Sequence, residues 1–425
     1  MQICRAAVLG LVSVALPQLA LAAPSPSAPD ATLAKRATTT LSDVTIFSPP
    51  SNAGWVDPRV LYARANYSPE PPLVYFPVYK STDKGKTWTQ VGAVRDTEND
   101  WGLRYQPTLF ELPQAVGAFP AGTVLAAGNS IPTDLSKTKI DVYASTDGGA
   151  TWTFASSVAS GGEARPNNGL TPVWEPMFMV FDNQLVCYYS DQRDPKYGQK
   201  LVHQTTTDLK TWGSIVDDVR DDANYAARPG MPAIQCGTDG CRVHYRLPQS
   251  PVDVLSAPSY SLQSTKGTRP TSSPYVVVWN NDTVVLSAGS GSQLFVNRQL
   301  GAPDAWVEHA TPQPAAYSRG LALLGQADPD ALLLIGAGGL PPSTTNRVSV
   351  SVIDLRATLG SSTSGAAAAA AAAAANSNSN SNSNSILNSN DIIGSGDGQA
   401  AASNGAAVSS GGVRRRHLPP WRRNY

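Results

Sequence analysis

Short β-branched and aromatic runs recur along this chain between clusters of Gly, Pro, Asn and Asp. They include Leu73-Val74-Tyr75-Phe76, Ile140-Asp141-Val142-Tyr143, Gln184 to Tyr189, Tyr275 to Trp279, Leu332 to Ile335 and Val348 to Ile353. Each has the length and composition of a strand, and the punctuation between them is turn chemistry. No stretch keeps apolar residues at helical spacing, so the pattern predicts an all-β fold. The pattern spans residues 37–357 and then stops. Ala366 to Ala375 is an unbroken alanine run, and Asn376 to Ser385 alternates Asn and Ser without one apolar side chain. Such a segment has nothing to bury, and an isolated alanine helix of that length is marginal in water. Residues 358–425 are therefore expected to be a disordered low-complexity tail. At the other end Arg5 precedes an apolar run from Ala6 to Leu16, and Ala20-Leu21-Ala22 has the small-x-small pattern of a cleavage site. This predicts a signal peptide over 1–22, a propeptide over 23–36 ending in Lys35-Arg36, and a secreted product.

An internal repeat sets the architecture. Ser81-Thr82-Asp83-Lys84-Gly85-Lys86-Thr87-Trp88 recurs as Ser145-Thr146-Asp147-Gly148-Gly149-Ala150-Thr151-Trp152, and a degenerate copy follows at Thr206-Thr207-Asp208-Leu209-Lys210-Thr211-Trp212. Each copy follows a strand-like run. The physical reading is a hairpin turn in which the Asp carboxylate accepts backbone N–H groups, a residue takes positive φ and the Trp folds back as a plug. Asp83, Asp147 and Asp208, with Trp88, Trp152 and Trp212, are thus structural Asp boxes rather than catalytic groups. One four-stranded sheet per repeat is what a propeller blade requires. A second marker recurs where each blade would begin: Arg59 to Arg64, Arg104-Tyr105-Gln106-Pro107, Thr171 to Pro176, Arg228-Pro229-Gly230-Met231, Arg269-Pro270 with Ser273-Pro274, and Tyr317 to Gly320. Six such starts predict a six-bladed β-propeller, with these segments converging near the central channel.

Composition narrows the partners. Lys plus Arg and Asp plus Glu are both 32, giving a formal net charge of zero, so the chain has no electrostatic footprint for nucleic acid. No membrane segment is expected after the signal, and a monomer acting on a neutral ligand fits best. In an oxidising compartment Cys236 and Cys241, bracketing Gly237-Thr238-Asp239-Gly240, would close a tight disulfide loop, leaving Cys187 as a buried thiol within an apolar strand. Asn66-Tyr67-Ser68 and Asn281-Asp282-Thr283 match the N-glycosylation pattern. His203 and His244 lack metal-ligand spacing, so no metal or other cofactor is expected.

Longer strings are more specific than the turns: Asn66 to Pro72, Leu103 to Pro107, Val173-Trp174-Glu175-Pro176, Tyr188-Tyr189-Ser190-Asp191-Gln192-Arg193-Asp194, Gln199 to Gln204, Arg228 to Met231 and Cys236 to Tyr245. Together, from about Trp55 to Ile353, they resemble the fungal exo-arabinanases of glycoside hydrolase family 93 in the sialidase-like propeller superfamily. The resemblance implies a six-bladed propeller that releases arabinobiose from the end of α-1,5-linked arabinan with retention. Retention requires two carboxyl groups about 5–5.5 Å apart, a nucleophile and an acid that becomes a base. The whole chain has only six glutamates, Glu70, Glu98, Glu111, Glu163, Glu175 and Glu308. Glu175, between Trp174 and Pro176, matches the family's nucleophile. The structural alternative is a buried Glu paired with an arginine such as Arg193. Arg64, Tyr105, Gln106, Trp174, Arg228, Tyr275 and Arg319 are the candidates for substrate contact, since aromatic faces stack on sugars and arginines bind hydroxyls or steady a carboxylate.

The acid/base partner has no counterpart. In the family the Arg-Pro-Gly-Met start runs through a turn into a strand ending in Tyr-Glu before the cysteine loop; here Met231 is followed by Pro232-Ala233-Ile234-Gln235 and then Cys236. A turn and a strand are missing near Ile234-Gln235, the glutamate with them, and Arg64-Ala65-Asn66 skips the same elements in the first blade; misplaced splice boundaries in the gene, or a genuine loss, would each leave these two gaps. The sequence therefore leaves open an impaired arabinanase, a carbohydrate-binding propeller without catalysis, and a sialidase, although no sialidase Tyr-Glu nucleophile pair occurs.

Overall fold

The computed structural model describes residues 38–48, 54–56, 65–67, 75–232, 234–237, 240–289, 291–325, 328–339 and 345–360. The signal peptide, the propeptide and the low-complexity tail lie outside the described residues, and so does Arg64. The described chain is almost entirely antiparallel sheet. It runs through β1 (Leu41–Phe47), β2 (Gly54–Val56), β3 (Ala65–Tyr67), β4 (Tyr75–Lys80) and β5 (Thr89–Arg95). Next come β6 (Leu103–Glu111), β7 (Val124–Ser130), β8 (Thr138–Ser145) and β9 (Thr153–Gly161), then β10 (Val173–Phe181), β11 (Gln184–Asp191), β12 (Lys200–Thr206) and β13 (Val216–Val219). The second half holds β14 (Arg228–Gly230), β15 (Ile234–Gly237), β16 (Gly240–Arg246), β17 (Ser259–Ser261), β18 (Tyr275–Trp279), β19 (Thr283–Ser287), β20 (Leu294–Asn297) and β21 (Trp306–His309). It ends in β22 (Arg319–Leu323), β23 (Ala331–Gly336), β24 (Val348–Asp354) and the single-turn helix α1 (Leu355–Leu359).

Four consecutive strands make each of the sheets β6 to β9, β10 to β13, β14 to β17 and β18 to β21, while β2–β3 and β4–β5 are two-stranded. The last four-stranded sheet has the order β1-β24-β23-β22, so the N-terminal strand completes the sheet made by the chain's final three. Leu41 pairs with Val352 and Val44 with Val350 across that closure. First strands of successive sheets lie together, β6 on β10 and β18 on β22. This is a β-propeller arrangement.

Strand alternation explains why the runs read as continuous apolar stretches instead of alternating ones. On β11, Leu185, Cys187 and Tyr189 pack into one core cluster with Leu125, Ile140 and Val142 of the preceding sheet. Val186 and Tyr188, one residue out of phase, pack with Met179 on the opposite face. On β23, Leu332 and Leu334 face β18 and β20, and Leu333 and Ile335, on the other face with Val350 and Val352 of β24, pack with Trp88 of the β4–β5 turn. Each sheet is buried on both faces by its neighbours, so both phases of the strand must be apolar.

The predicted turns join the third and fourth strands of their sheets, or β4 and β5. The first two are wired alike. Ser81 Oγ donates to Asp83 Oδ1 (2.8 Å), Thr87 N and Oγ1 donate to the same carboxylate (2.9 and 2.6 Å), and Trp88 Nε1 donates to Gly85 O (3.0 Å). Ser145, Asp147, Thr151 and Trp152 repeat those bonds at 2.7, 3.0, 2.6 and 3.0 Å. In the degenerate copy Leu209 takes the positive φ of 59°, and Trp212 Nε1 reaches Ser156 Oγ (3.0 Å) on the neighbouring sheet instead. Donors converging from Thr87 hold Asp83 down at about 2, and backbone N–H groups led by Thr211 do the same to Asp208. These carboxylates are acceptors locked into turns. The first turn also fastens the ring: Lys84 Nζ lies 2.6 Å from Asp328 Oδ2. The α-hydrogen of Gly85 faces Leu333 and Val352, where a Cβ would lie 3.4 and 3.5 Å from their methyls.

Candidate active site

The marker segments Arg104 to Pro107, Thr171 to Pro176 and Arg228 to Met231 fall at the starts of β6, β10 and β14. At each the backbone leaves the regular strand. β6 breaks register between Arg104 and Thr108, and β10 between Trp174 and Met177. Tyr105, Gln106 and Glu175 stand in these bulges at φ of 55°, 47° and 63°, and Met231, just past β14, at 52°. Non-glycine residues there are strained, and such strain persists where the surroundings over-determine it.

The strained residues meet around one carboxylate. Glu175 Oε2 accepts from Ser190 Oγ (2.6 Å) and from the backbone N–H of Met231 (2.5 Å), while Gln106 Nε2 stands 3.4 Å from Oε1. Ser190 faces Trp174 across β10 and β11, so the bulge swings the next side chain onto its hydroxyl. Gly230 makes room, because a Cβ there would lie 2.8 Å from Gln199 Nε2 and 3.1 Å from Glu175 Oε2. Glu175 is half-buried as a residue, but its carboxyl group lies inside the protein. Burial raises its pKa above the usual glutamate value, opposed by the bonds from Ser190 and Met231 and by the charge of Arg228. That guanidinium is itself fixed by side-chain amides: Arg228 Nη1 donates to Asn168 Oδ1 (2.6 Å), and Nη2 to Gln192 Oε1 and Gln199 Oε1 (both 2.7 Å). Burial lowers the Arg228 pKa to about 10, which leaves it cationic at neutral pH. Trp174 Nε1 donates to the same Gln192 oxygen (2.9 Å), and the Tyr105 ring lies 6.5 Å from the Trp174 ring. The result is a desolvated carboxylate held in one orientation beside a fixed positive charge and two aromatic rings, which suits a nucleophile toward a sugar better than a packing contact.

No protein-family model matches the chain, and no curated protein does. Solved structures do. The α-L-arabinofuranosidase Arb93A of Fusarium graminearum, bound to an iminosugar inhibitor, is 48% identical over 75% of this chain and 99% of its own, with a TM-score of 0.70. The α-L-arabinanase of Penicillium chrysogenum, bound to arabinobiose, is 46% identical over 76% of this chain and 100% of its own, with a TM-score of 0.71. The GH93 α-L-arabinofuranosidase of F. graminearum with arabinobiose is 47% identical over 75% and 99%, with a TM-score of 0.69. The chain belongs to glycoside hydrolase family 93.

Within this family 93 site the structure brings together Tyr105, Gln106, Trp174, Glu175 and Arg228 of the residues singled out from sequence. Arg193 is not the partner of Glu175: its Nη2 pairs with Asp191 Oδ2 at 2.7 Å, and it also donates to the Tyr189 hydroxyl (2.9 Å). Trp174 is 7% exposed, and its indole N–H is committed to Gln192. Tyr275 lies on β18, on the wall of the cavity that also includes Glu175. Arg319 is completely buried and spends its guanidinium on Gly291 O (2.7 Å) and Thr311 Oγ1 (3.1 Å). Ser190, Gly230, Gln192 and Gln199 were not singled out, although all lie inside the strings that carry the resemblance.

The β14–β15 hairpin of this family 93 chain is short. β14 has 3 residues and β15 has 4, where β10 has 9 and β11 has 8. β15 reaches only as far as Val243 on β16, so His244, Tyr245 and Arg246 run beyond it. The same cavity that takes in Gln106, Glu175 and Met231, ≈ 190 Å³ in volume, extends past the turn after β14 to Met179, Tyr188, Leu201, Tyr245 and Leu286. Cys236 stands opposite Cys241 in the backbone register of β15 and β16; their side chains lie outside the described residues. Cys187 is a buried free thiol.

Proposed function

We propose that the protein is a secreted six-bladed exo-arabinanase of the retaining type, specific for α-1,5-linked arabinan, with Glu175 as nucleophile and with its acid/base function lost. The observation that carries this is the convergence of three strained backbone positions and two strong donors on the Glu175 carboxylate. Identity of 46–49% to arabinanases and arabinofuranosidases, two of them bound to arabinobiose, supports the substrate class. The sixth blade in this reading is built from β2 to β5. The loss of the acid/base rests on the short β14–β15 hairpin, where the family's strand ending in Tyr-Glu has no room.

In the reaction so read, Glu175 attacks the anomeric carbon, and Arg228 and the donors from Ser190 and Met231 keep it ionised and aimed. The leaving oxygen of a natural arabinan must depart without a proton, which costs general catalysis worth roughly 10²–10⁴-fold. An activated aryl arabinobioside needs no proton on its leaving group and suffers less. The chain is therefore expected to bind arabino-oligosaccharides, to cleave an aryl arabinobioside, and barely to cleave linear arabinan. Glu175→Gln abolishes the remaining turnover. Robust hydrolysis of linear arabinan by the unaltered chain would show that another carboxylate serves as acid, with Glu70 the first to test. Undiminished aryl glycoside cleavage by Glu175→Gln would remove the nucleophile assignment.

A further inference from the structure

The turn between β18 and β19 carries a chemistry that the catalytic reading does not use. Trp279 pairs with Thr283 across this hairpin, so Asn280, Asn281 and Asp282 make its loop. Asn280 and Asn281 both take positive φ, 52° and 63°, a region that asparagine enters at little cost. Asn281 is exposed at the tip, and its side-chain amide has no hydrogen-bond partner among the described residues. Asn281-Asp282-Thr283 has the acceptor pattern for an N-linked glycan. The chain's other such triplet begins at Asn66, which stands opposite Trp55 in the β2–β3 ladder and whose side chain lies outside the described residues.

The hairpin also fixes when a glycan can be added. The acceptor pattern requires a hydroxyl two residues after the asparagine. In the fold Thr283 is 1% exposed, and its hydroxyl donates to Asp282 Oδ1 at 2.8 Å. The next two residues, Val284 and Val285, pack into core clusters on opposite faces of the sheet. Uncovering the Thr283 hydroxyl therefore means opening this end of β19 and withdrawing its valines. The acceptor nitrogen is at the surface of the folded chain while the hydroxyl that identifies it is hidden; before the hairpin closes, both are available. The turn also lies apart from the catalytic carboxylate. Tyr275, at the start of β18, is on the wall of the cavity that includes Glu175, and the strand carries the turn ~13 Å away along its length. A glycan at the tip leaves the approach to Glu175 open.

We propose that Asn281 is an N-glycosylation site, filled on the extended chain before β18 and β19 pair. This rests on the secreted reading given above, because the donor, an oligosaccharide carried on a lipid diphosphate, belongs to the secretory pathway. The bond that forms joins the Asn281 amide nitrogen to the anomeric carbon of the first sugar. The bond that breaks joins that carbon to the lipid diphosphate, which leaves with the electron pair, and the amide nitrogen gives up one proton to a base.

The test is to express the full chain with its own leader in a eukaryotic secretory host, release N-glycans enzymatically in ¹⁸O water and map the peptides, so that each formerly glycosylated Asn is marked as a labelled Asp. The mark is expected at Asn281, persists in Thr283→Ser and vanishes in Asn281→Asp, a change that the left-handed turn tolerates. Secreted chain unmarked at Asn281, or marked only at Asn66, would overturn the proposal while leaving the secreted reading in place; a chain retained in the cytosol overturns both. The timing has its own measurement. Glycan-free chain is offered, folded and in an unfolded alkylated form, to purified oligosaccharyltransferase with a lipid-linked oligosaccharide. Only the unfolded form is expected to accept the sugar, and equal labelling of the two forms at Asn281 would refute the order of events.

Discussion

Replacing Ser190 with alanine isolates what keeps Glu175 ionised. The serine hydroxyl is one of two donors on Oε2, at 2.6 Å, and the other is the backbone N–H of Met231. A hydrogen bond to a buried charged group contributes about 1.5–3 kcal/mol, and each 1.36 kcal/mol of differential stabilisation is about one pKa unit. Ser190→Ala should thus raise the Glu175 pKa further. The assay is an NMR titration of the protein labelled with carboxyl-¹³C glutamate, in which the chain's six glutamates give a resolvable set and Glu175→Gln assigns the signal. The sign carries over to stability. Because burial raises the pKa in the fold, the protonated form is favoured there, and stability falls as pH rises from the usual glutamate value of 4.5 toward the folded one. Ser190→Ala extends that loss to higher pH, and the acid limb of kcat/KM on an aryl arabinobioside moves with it. A Glu175 titration that does not move in Ser190→Ala would refute the geometry, because the hydroxyl would then not be bonded to the carboxylate in solution.

Gly230→Ala should act from the other side of the same carboxylate: a methyl 2.8 Å from Gln199 Nε2 and 3.1 Å from Glu175 Oε2 displaces one of them. Loss of one such bond weakens arabinobiose binding or aryl glycoside turnover by about 10-fold or more, read by calorimetry or kinetics against an unaltered circular dichroism spectrum. Asp141, buried and bonded to Ser157 and Asn99, is raised from 3.8 to about 6 by desolvation. Ionising it in the fold costs up to about 3 kcal/mol, (6 − 3.8) × 1.36; Asp141→Asn should flatten the loss of stability between those two values in urea unfolding, and an unchanged slope would count against it. Peptide mapping of the protein made under oxidising conditions should find Cys236 bonded to Cys241, which face each other in register. Cys187, whose thiol burial pushes up, should alkylate only on unfolding, and labelling of all three cysteines in the native state would contradict both assignments.

The all-β character was legible because both faces of each sheet are covered, which writes the strands as unbroken apolar runs such as Leu185 to Tyr189. The turns were legible because their chemistry is local: Asp83 and Thr87 are four residues apart and bond each other. Glu175 was legible as an acid among apolar neighbours and by family resemblance. Its orientation was not, since no local pattern announces the bulge between Trp174 and Met177 or the positive φ at Gln106 and Met231. The partners of Arg228 were hidden for the same reason. Asn168, Gln192 and Gln199 lie 60, 36 and 29 residues away, and ordinary amides give no signal of what they hold. Asp218 and His203 are 15 residues apart on neighbouring strands, so only the sheet register brings them into contact.

The short β14–β15 hairpin also sets the energetics of the fold around the site. A folded domain commonly has only about 5–15 kcal/mol to lose, and a hairpin whose first strand has 3 residues costs part of that margin. The buried Asp218 Oδ2 of β13, without a hydrogen-bond partner among the described residues, adds to that cost. Yet the residues that orient Glu175 are held by partners outside β15: Arg228 at the start of β14 through Asn168, Gln192 and Gln199, and Met231 in the turn after β14 through its backbone N–H on the carboxylate. The Glu175 carboxylate is therefore anchored largely through the well-packed β10 to β13 sheet, while His244, Tyr245 and Arg246 of β16 pair with β17. A carboxylate can thus stay posed beside a short inner hairpin, which is why, under the proposed reading, sugar binding is expected to survive where proton donation does not.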